Sequence, residues 1–259
     1  MAPVPEQAPL STPVPETITE ASGIADSKRN PGHLWVQEDG GNPAQLYLLK
    51  HTGEIARTVY LKGAANRDWE DMALAGNHLY IADIGDNNRE HTISTIYKFE
   101  EPPLTTDTVR QIQKIQFRYP DGPHDAEAFL VDPVTETIYL ITKNNTSAQL
   151  FKVEQKGQNG QVQTAERVGS IDLKGVVSAS LSDSGQGIIL KTYKGLYYFK
   201  RNNHEPISKA LQTTYTKLPY KFEPQGEAVC FSVNGKGYYT LSEKVLSGMV
   251  SLHFYTLLP

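Results

Sequence analysis

The sequence has a single cysteine, Cys230, among its 259 residues. One cysteine excludes an internal disulfide framework and a zinc site built on cysteines. Long hydrophobic runs are also missing: no stretch approaches about 18 apolar residues, so we predict no membrane span. Positive charge is not in excess either, because the net charge is −4, and we therefore expect no nucleic-acid partner.

The sequence also has little of the periodicity that marks amphipathic helices. Short apolar or alternating runs separated by turn residues take its place, which is typical of strands. The 14 tyrosines, 20 glycines and 16 prolines favour strands and turns as well. Motifs for a phosphate-binding loop, a zinc protease or a serine hydrolase are absent, so no common enzyme class is indicated.

A small-residue segment followed by apolar runs recurs about every 50 residues. The segments begin at Glu20, Glu70, Glu127, Ser178 and Glu227, with spacings of 50, 57, 51 and 49 residues. Four strands per unit at this period are typical of propeller blades. The fifth unit ends after three strands, and Ala8–Val14 precedes the first unit.

We therefore predict an all-β fold: a five-bladed β-propeller of four-stranded antiparallel blades, with the ring closed by an N-terminal strand. The alternative is a β-sandwich in which the spacing is a coincidence. Residues 1–17 are predicted to form a proline-rich tether that includes the closing strand, and residues 18–259 a single propeller domain. We expect the protein to be a monomer.

The polar, proline-rich start of the chain also bears on location. It lacks the charged and apolar regions of a signal peptide. We expect a protein that is secreted or located in the periplasm or cell envelope, with its signal peptide already removed. The alternative is a cytosolic protein with a frayed N-terminus.

Acidic residues concentrate where a propeller would bring them together. In each blade the start of the first strand and the end of the antiparallel second strand share one face of the ring, which we call the top face. Carboxylate oxygens in such numbers suit calcium, which binds about 6–8 oxygens. The predicted Ca²⁺ ligands are Glu20, Asp68, Glu70, Asp83, Asp86, Glu127 and Glu227.

Basic residues follow the second strand in the last three predicted blades. Together with Arg89, they are predicted to hold a small anionic or polar ligand: Lys143, Lys191 and Lys244. Trp69 lies inside the densest acidic segment, either as a stacking surface for this ligand or as a core residue between blades.

Candidates for acid–base chemistry are His124, Glu127 and Glu70. His124 equally fits the role of a hydrogen-bond partner in a loop. The acids as a group have a second interpretation, in which the glutamates bond backbone amides and set the blade pitch while Asp86 belongs to a simple turn.

Four motifs carry a resemblance to a known family. They are RDWEDMA at 67–73, YIADIGDN at 80–87, YPDGPHDAEA at 119–128 and PQGEA at 224–228. In order and spacing they resemble a widespread family of uncharacterised, often exported bacterial β-propeller proteins, over about residues 18–245. The resemblance implies the fold and an extracytoplasmic location, and it implies no activity.

The chain is also similar, in architecture only, to two calcium-dependent propeller groups. These are the six-bladed β-propeller phytases and the five-bladed calcium-activated nucleotidases. Three hypotheses of function stay open: calcium-dependent recognition of a small anionic or polar ligand, calcium-dependent hydrolysis of a phosphoric ester, and a non-enzymatic scaffold for a surface protein or glycan. The scaffold would use the loops Gly40–Ala44, Asn87–Ser94 and Lys244–Gly248.

Overall fold

The computed structural model describes residues 8–144, 146–155, 160–203, 205–245 and 248–257. Residues 1–7 of the predicted tether and residues 246–247 of one predicted contact loop lie outside this range. Strands make up most of the ordered structure. The described part of the chain contains one short helix, α1 (Ile207–Ala210).

In chain order the strands are β1 (Leu10–Pro13), β2 (Ala21–Asp26), β3 (His33–Glu38), β4 (Gln45–Lys50), β5 (Ile55–Leu61), β6 (Trp69–Ala75), β7 (His78–Asp83), β8 (Ser94–Glu100), β9 (Thr108–Val109), β10 (Gln113–Arg118), β11 (Ala126–Val131), β12 (Ile138–Thr142), β13 (Ala148–Val153), β14 (Gln163–Thr164), β15 (Glu166–Ile171), β16 (Val176–Leu181), β17 (Gly187–Thr192), β18 (Gly195–Lys200), β19 (Thr216–Leu218), β20 (Gly226–Phe231), β21 (Gly237–Ser242) and β22 (Ser251–Thr256). Helix α1 lies between β18 and β19.

These strands form five sheets, which are the blades of a ring. From the innermost strand outward, the blades are β2-β3-β4-β5, β6-β7-β8-β10, β11-β12-β13-β15, β16-β17-β18-β19 and β20-β21-β22-β1. The short strands β9 and β14 add in parallel to the outer edges of blades one and two. The predicted five-bladed all-β propeller is confirmed.

The N-terminal strand closes the ring, as predicted. Strand β1 pairs antiparallel with β22, from Leu10 opposite Phe254 to Pro13 opposite Ser251. It therefore supplies the outer strand of the last blade from the other end of the sequence. Proline is tolerated there because the outer strand of a sheet has backbone groups that need no partner.

Apolar side chains fill the spaces between neighbouring blades. Ile141 of β12, for example, belongs to the same buried cluster as Val176 and Ala179 of β16 in the next blade. Strand β17, the second strand of blade four, is buried on both faces along its whole length, so residues 187–190 form a nearly continuous apolar run rather than a strict alternation.

Each innermost strand is irregular at the same point near its start. The pairing with the second strand shifts there by one residue in all five blades, which is a β-bulge. The extra residues in the five blades are Ser22, Glu70, Glu127, Val177 and Glu227. The predicted alignment of the repeats is therefore wrong by two residues at Glu20 and by one at Ser178.

The carboxylate of Asp71 ties the inner strands together. Asp71 is fully buried on β6. It accepts a hydrogen bond from the Ser178 hydroxyl at 2.9 Å and from the backbone N–H groups of Ala179 at 3.0 Å and Phe129 at 3.4 Å. These donors lie on β16 and β11, so one side chain connects the inner strands of three blades.

The other two inner strands join the same network. Ser178 Oγ accepts the backbone N–H of Val229 on β20 at 3.3 Å. On the opposite side, the Ser22 hydroxyl of β2 donates to the backbone carbonyl of Glu70 at 2.6 Å. Gly23 allows this close approach, because a Cβ there would lie 2.7 Å from the backbone nitrogen of Met72.

We expect Asp71→Asn to lower the free energy of unfolding by about 1–3 kcal/mol, the cost of an unsatisfied buried hydrogen-bond group. Asp71 Oδ1 also accepts the Met72 N–H, so both oxygens face backbone donors and the new amide NH₂ must oppose one of them. Urea unfolding followed by circular dichroism measures the change, with the exposed Asp107→Asn as control. A stability equal to that of the control would contradict this role of Asp71.

Candidate functional site

A cluster of carboxylates occupies the top face of the ring, where the inner strands begin. We call it the acidic mouth; its members are Asp39, Asp68, Glu70, Asp125, Glu127, Glu227 and Glu243. The three glutamates at bulge positions, Glu70, Glu127 and Glu227, are only 5%, 3% and 7% exposed. The other members precede an inner strand or follow a second strand.

Two triads of carboxylates in the mouth share one residue. Oxygens of Asp39, Asp68 and Glu70 lie within 4.8 Å of one another, and so do oxygens of Glu70, Asp125 and Glu127. Three oxygens at these separations leave a central point no farther than about 2.8 Å from each, near the calcium–oxygen distance. Either triad can therefore supply three ligands to a cation.

Asn66 brings the first triad together across the boundary between blades one and two. Its side-chain amide donates to the backbone carbonyls of Glu38 and Asp39, at 3.1 and 2.7 Å, and its Oδ1 accepts the N–H of Trp69 at 3.0 Å. The end of β3 is thereby held beside the start of β6. This contact explains why carboxylates of different blades meet.

Two glycines leave room for the carboxylates. A Cβ at Gly85 would lie 2.1 Å from Glu70 Oε1 and 2.4 Å from Asp68 Oδ2. A Cβ at Gly40 would lie 2.5 Å from Asp68 Oδ1. The oxygens of the first triad therefore pack directly against backbone that carries no side chain.

One lysine reaches into the mouth. Lys143 Nζ forms a close ion pair with Glu127 Oε1 and donates to Tyr193 Oη at 3.3 Å. The Tyr193 hydroxyl in turn donates to Glu227 Oε1 at 2.5 Å. Within the described residues, the buried Glu127 Oε2 has no hydrogen-bond partner.

Crowding and burial shift the acid–base equilibria of the mouth. Burial raises the pKa of Glu70 well above its ordinary value, and the neighbouring Glu127 carboxylate raises it further. Burial raises the pKa of Glu127 to about 8 against the opposing effect of Lys143, and burial with the nearby Glu227 raises that of Glu243 to about 8. The mouth therefore holds protons near neutral pH that a divalent cation would displace.

Asp83 and Asp86, both predicted as metal ligands, order backbone near the site. Asp83 Oδ1 accepts the N–H of Asp68 at 2.9 Å. The two oxygens of Asp86 accept the N–H groups of Glu90 and His91, each at 2.8 Å. The contacts of Asp86 match the alternative prediction of a turn, and neither residue belongs to a triad.

Three further predicted residues lie outside the triads. Glu20 is exposed, and its carboxylate accepts a hydrogen bond from the Asn42 amide at 2.6 Å. Lys244 Nζ is 3.9 Å from Glu16. Arg89 is exposed, and its side chain contacts no carboxylate of the mouth in the described part of the chain.

Trp69 and His124 do not face the mouth. Trp69 is fully buried in the core between blades, and its Nε1–H donates to the carbonyl of Ala65 at 2.9 Å, so it offers no surface for ligand stacking. The His124 ring packs on Phe151, and its Nε2 lies 2.8 Å from Asp121 Oδ1. The described contacts of His124 match the predicted hydrogen-bond partner in a loop.

Lys191 is buried below the surface between blades four and five. Its Nζ lies 2.9 Å from Tyr220 Oη and 3.6 Å from Glu223 Oε2. Burial lowers the pKa of Lys191 to about 8, although Glu223 opposes this shift. A fully buried ammonium paired in this way cannot contact a ligand at the mouth without a rearrangement.

The sequence prediction missed four residues that the structure brings into the site: Asp39, Asp125, Tyr193 and Glu243. Asp125 precedes an inner strand and the other three follow a second strand, which are the positions that the propeller pattern places on the top face. The signal was therefore present, but Asp39, Asp125 and Glu243 stand beside or near other charged residues, and Tyr193 lies two residues after Lys191. The position of a residue in the sequence does not show which of two neighbouring side chains points toward the acidic mouth.

Comparisons with known proteins support the architecture. No family model and no curated protein matches the sequence, so the resemblance to exported bacterial propellers stays a prediction. A chain in a nidogen/laminin complex is 13% identical with a TM-score of 0.50, over 87% of this chain and 73% of that one. At this identity the likeness is one of fold alone.

The chain is also similar to two other proteins of known structure. Hydrazine synthase of Kuenenia stuttgartiensis is 12% identical with a TM-score of 0.47, over 86% of this chain and 68% of that one. An auxiliary nutrient binding protein from Bacteroides thetaiotaomicron is 12% identical with a TM-score of 0.49, over 91% of this chain and 57% of that protein's chain.

Among the described residues, no helix is long and apolar enough to span a membrane.

We expect the free energy of unfolding of the calcium-free protein to fall as the pH rises from about 6.5 to about 8. Glu127 and Glu243, with pKa values near 8 against 4.5 ordinarily, bind protons in the folded chain that they have lost in the unfolded chain. Burial lowers the pKa of His253 from 6.5 to about 4. This residue makes the free energy of unfolding rise with pH, but mainly between these two values, below the range of the prediction. Urea titrations in EDTA across this range measure the slope.

The double variant Glu127→Gln/Glu243→Gln is the control for this pH dependence. Its glutamine side chains do not titrate, so its stability should change less over the same range. Stability of the unmodified protein that stays constant or rises with pH in EDTA would contradict the prediction.

Proposed function

We propose that the acidic mouth binds calcium and uses it to recognise a small anionic or polar ligand. The observation that carries the proposal is the buried Glu127 Oε2, which lacks a hydrogen-bond partner in the described part of the chain and belongs to a carboxylate triad. Although Lys143 pairs with the other oxygen of this carboxylate, a buried oxygen that lacks a partner is unfavourable unless a cation or a proton occupies the position in front of it.

The chemistry of the donors favours calcium. The triads consist of carboxylates, and hard oxygen ligands suit Ca²⁺ or Mg²⁺ better than the softer transition metals. Calcium also accepts irregular geometry and many oxygens, which fits donors contributed by loops of three different blades. An exported location, which we include in the proposal, would give the site access to extracellular calcium.

The ligand is proposed to be anionic because a bound calcium ion and the Lys143 ammonium would both attract negative charge on one side of the mouth. A bound calcium would present open coordination positions, and the Lys143 ammonium lies directly beside the second triad. A phosphate or carboxylate group could contact both. The Tyr193 hydroxyl, 3.3 Å from Lys143 Nζ, adds a polar partner for a neutral oxygen of the ligand.

Hydrolysis of a phosphoric ester is the more specific version of this proposal. Calcium would polarise the ester and orient a water, and Glu70 or Glu127 would receive the proton. His124 is not available for this step in its described position, since its Nε2 faces Asp121. Turnover would therefore have to depend on the metal and the glutamates.

We expect calcium to raise the melting temperature of the protein, and Gly85→Ala to abolish most of that shift. The nearest atoms to the added methyl group belong to the carboxylates of Glu70 and Asp68, not to backbone, so we expect it to displace these two side chains and leave the fold intact. Gly195→Ala is the matched control, because its nearest neighbour would be 3.9 Å away. Differential scanning calorimetry with calcium or EDTA measures the shift.

Equal calcium shifts in both glycine variants, or no shift in the unmodified protein, would overturn the cation site. Turnover of phosphomonoesters, phosphodiesters and nucleotides, measured with calcium and with EDTA, then separates binding from hydrolysis. A surface protein or glycan that still binds to Gly85→Ala in EDTA would instead support the scaffold hypothesis.

A further inference from the structure

The two carboxylate triads of the acidic mouth are arranged as neighbours with one common member. The first, Asp39, Asp68 and Glu70, bridges blades one and two. The second, Glu70, Asp125 and Glu127, bridges blades two and three. Glu70 has two carboxylate oxygens, so it can provide one ligand to each side.

Glu70 is unusual because no residue in the described ranges pairs with its carboxylate. It is 5% exposed. Within the described residues its carboxylate accepts no hydrogen bond and forms no ion pair. Asp83 and Asp86, by contrast, use their oxygens to bind backbone N–H groups. A side chain this buried and without a partner points to a ligand between the triads.

Each triad has a second feature that points to its own cation. On the first side, Gly85 and Gly40 keep the backbone clear of the Asp68 and Glu70 oxygens. On the second side, Lys143 pairs with Oε1 of Glu127 and not with its Oε2. The buried Oε2 therefore has no hydrogen-bond partner among the described residues. The two triads therefore have different supporting residues and share only the Glu70 carboxylate.

The charge of the cluster agrees with two cations rather than one. The five carboxylates of the two triads and the ammonium of Lys143 have a formal charge of −4 when all are ionised. One divalent cation would leave half of this charge in place, and Glu227 and Glu243 add further negative charge to the mouth. A second divalent cation balances the charge of the triads, where uncompensated charge is unfavourable.

We propose that the acidic mouth holds two calcium ions, one in each triad, bridged by the carboxylate of Glu70. This inference rests on the proposed calcium function and adds its stoichiometry. Paired cations a few ångströms apart are suited to clamp one phosphate or carboxylate group between them. The ligand class that fits is therefore one whose anionic group has two oxygens free to bridge the ions.

The experiment counts calcium ions on the intact protein. Isothermal titration with CaCl₂ and native mass spectrometry should give two ions per chain for the unmodified protein. Asp39→Ala and Glu127→Ala should each retain one ion, because each removes a ligand from one triad only. Glu70→Gln should weaken both sites by about ten-fold or more, and the exposed Asp107→Ala should still bind two.

Two outcomes would overturn the inference in different ways. A single ion in the unmodified protein, lost equally in Asp39→Ala and Glu127→Ala, would leave the calcium function standing and remove the second site. No bound ion at all would remove both. Because the count on the unmodified protein decides between them, a variant that fails to fold does not affect the conclusion.

Discussion

The hydrogen bonds received by one buried carboxylate, that of Asp71, constrain the centre of this propeller. Its donors lie on β11 and β16, and Ser178 extends the network to β20. Ring closure by β1 fixes the circumference of the propeller, but it does not fix how the inner strands approach one another. The hydrogen bonds to Asp71 fix how the inner strands approach one another, because each donor must reach the same two carboxylate oxygens. The inner strands therefore start at a common level, and the acidic mouth forms above them.

The β-bulges at the start of the inner strands place several side chains of the candidate site. A bulge places one extra residue in the strand and turns its side chain out of the normal alternation. In blades two, three and five the extra residue is a glutamate, while blades one and four have Ser22 and Val177. The same β-bulge thus occurs in all five blades, but only three of the five bulge residues are acidic. This asymmetry argues against a purely architectural role for the glutamates, since a pitch-setting contact would be needed in every blade.

The sequence was sufficient to predict the architecture and only part of the site. The repeat of about 50 residues and the lone strand before the first unit predicted five blades and their closure, because backbone pairing follows directly from strand count and order. The position of Glu20 was predicted incorrectly by two residues, because blade one has Ser22 at the bulge where blades two, three and five have a glutamate, and the nearest acidic residue was aligned in its place. Lys191 was predicted at the mouth and Trp69 either there or in the core between blades, and both side chains are buried. A side chain next to an acidic residue in the sequence can point into the space between blades instead of toward the axis, and only the packing decides which.

In the proposed function, binding and stability are coupled. Burial and the charge of neighbouring carboxylates raise the pKa values of Glu70, Glu127 and Glu227, so the folded mouth holds protons that the unfolded chain would release. The Asp71 network and the apolar packing between blades hold the carboxylates together in spite of this repulsion. Preorganisation of this kind favours tight binding, because the protein has already met the cost of assembling the charges when it folds. Under the proposed function, a calcium ion would replace the protons of the mouth and neutralise its carboxylates, and the free energy released would contribute to affinity.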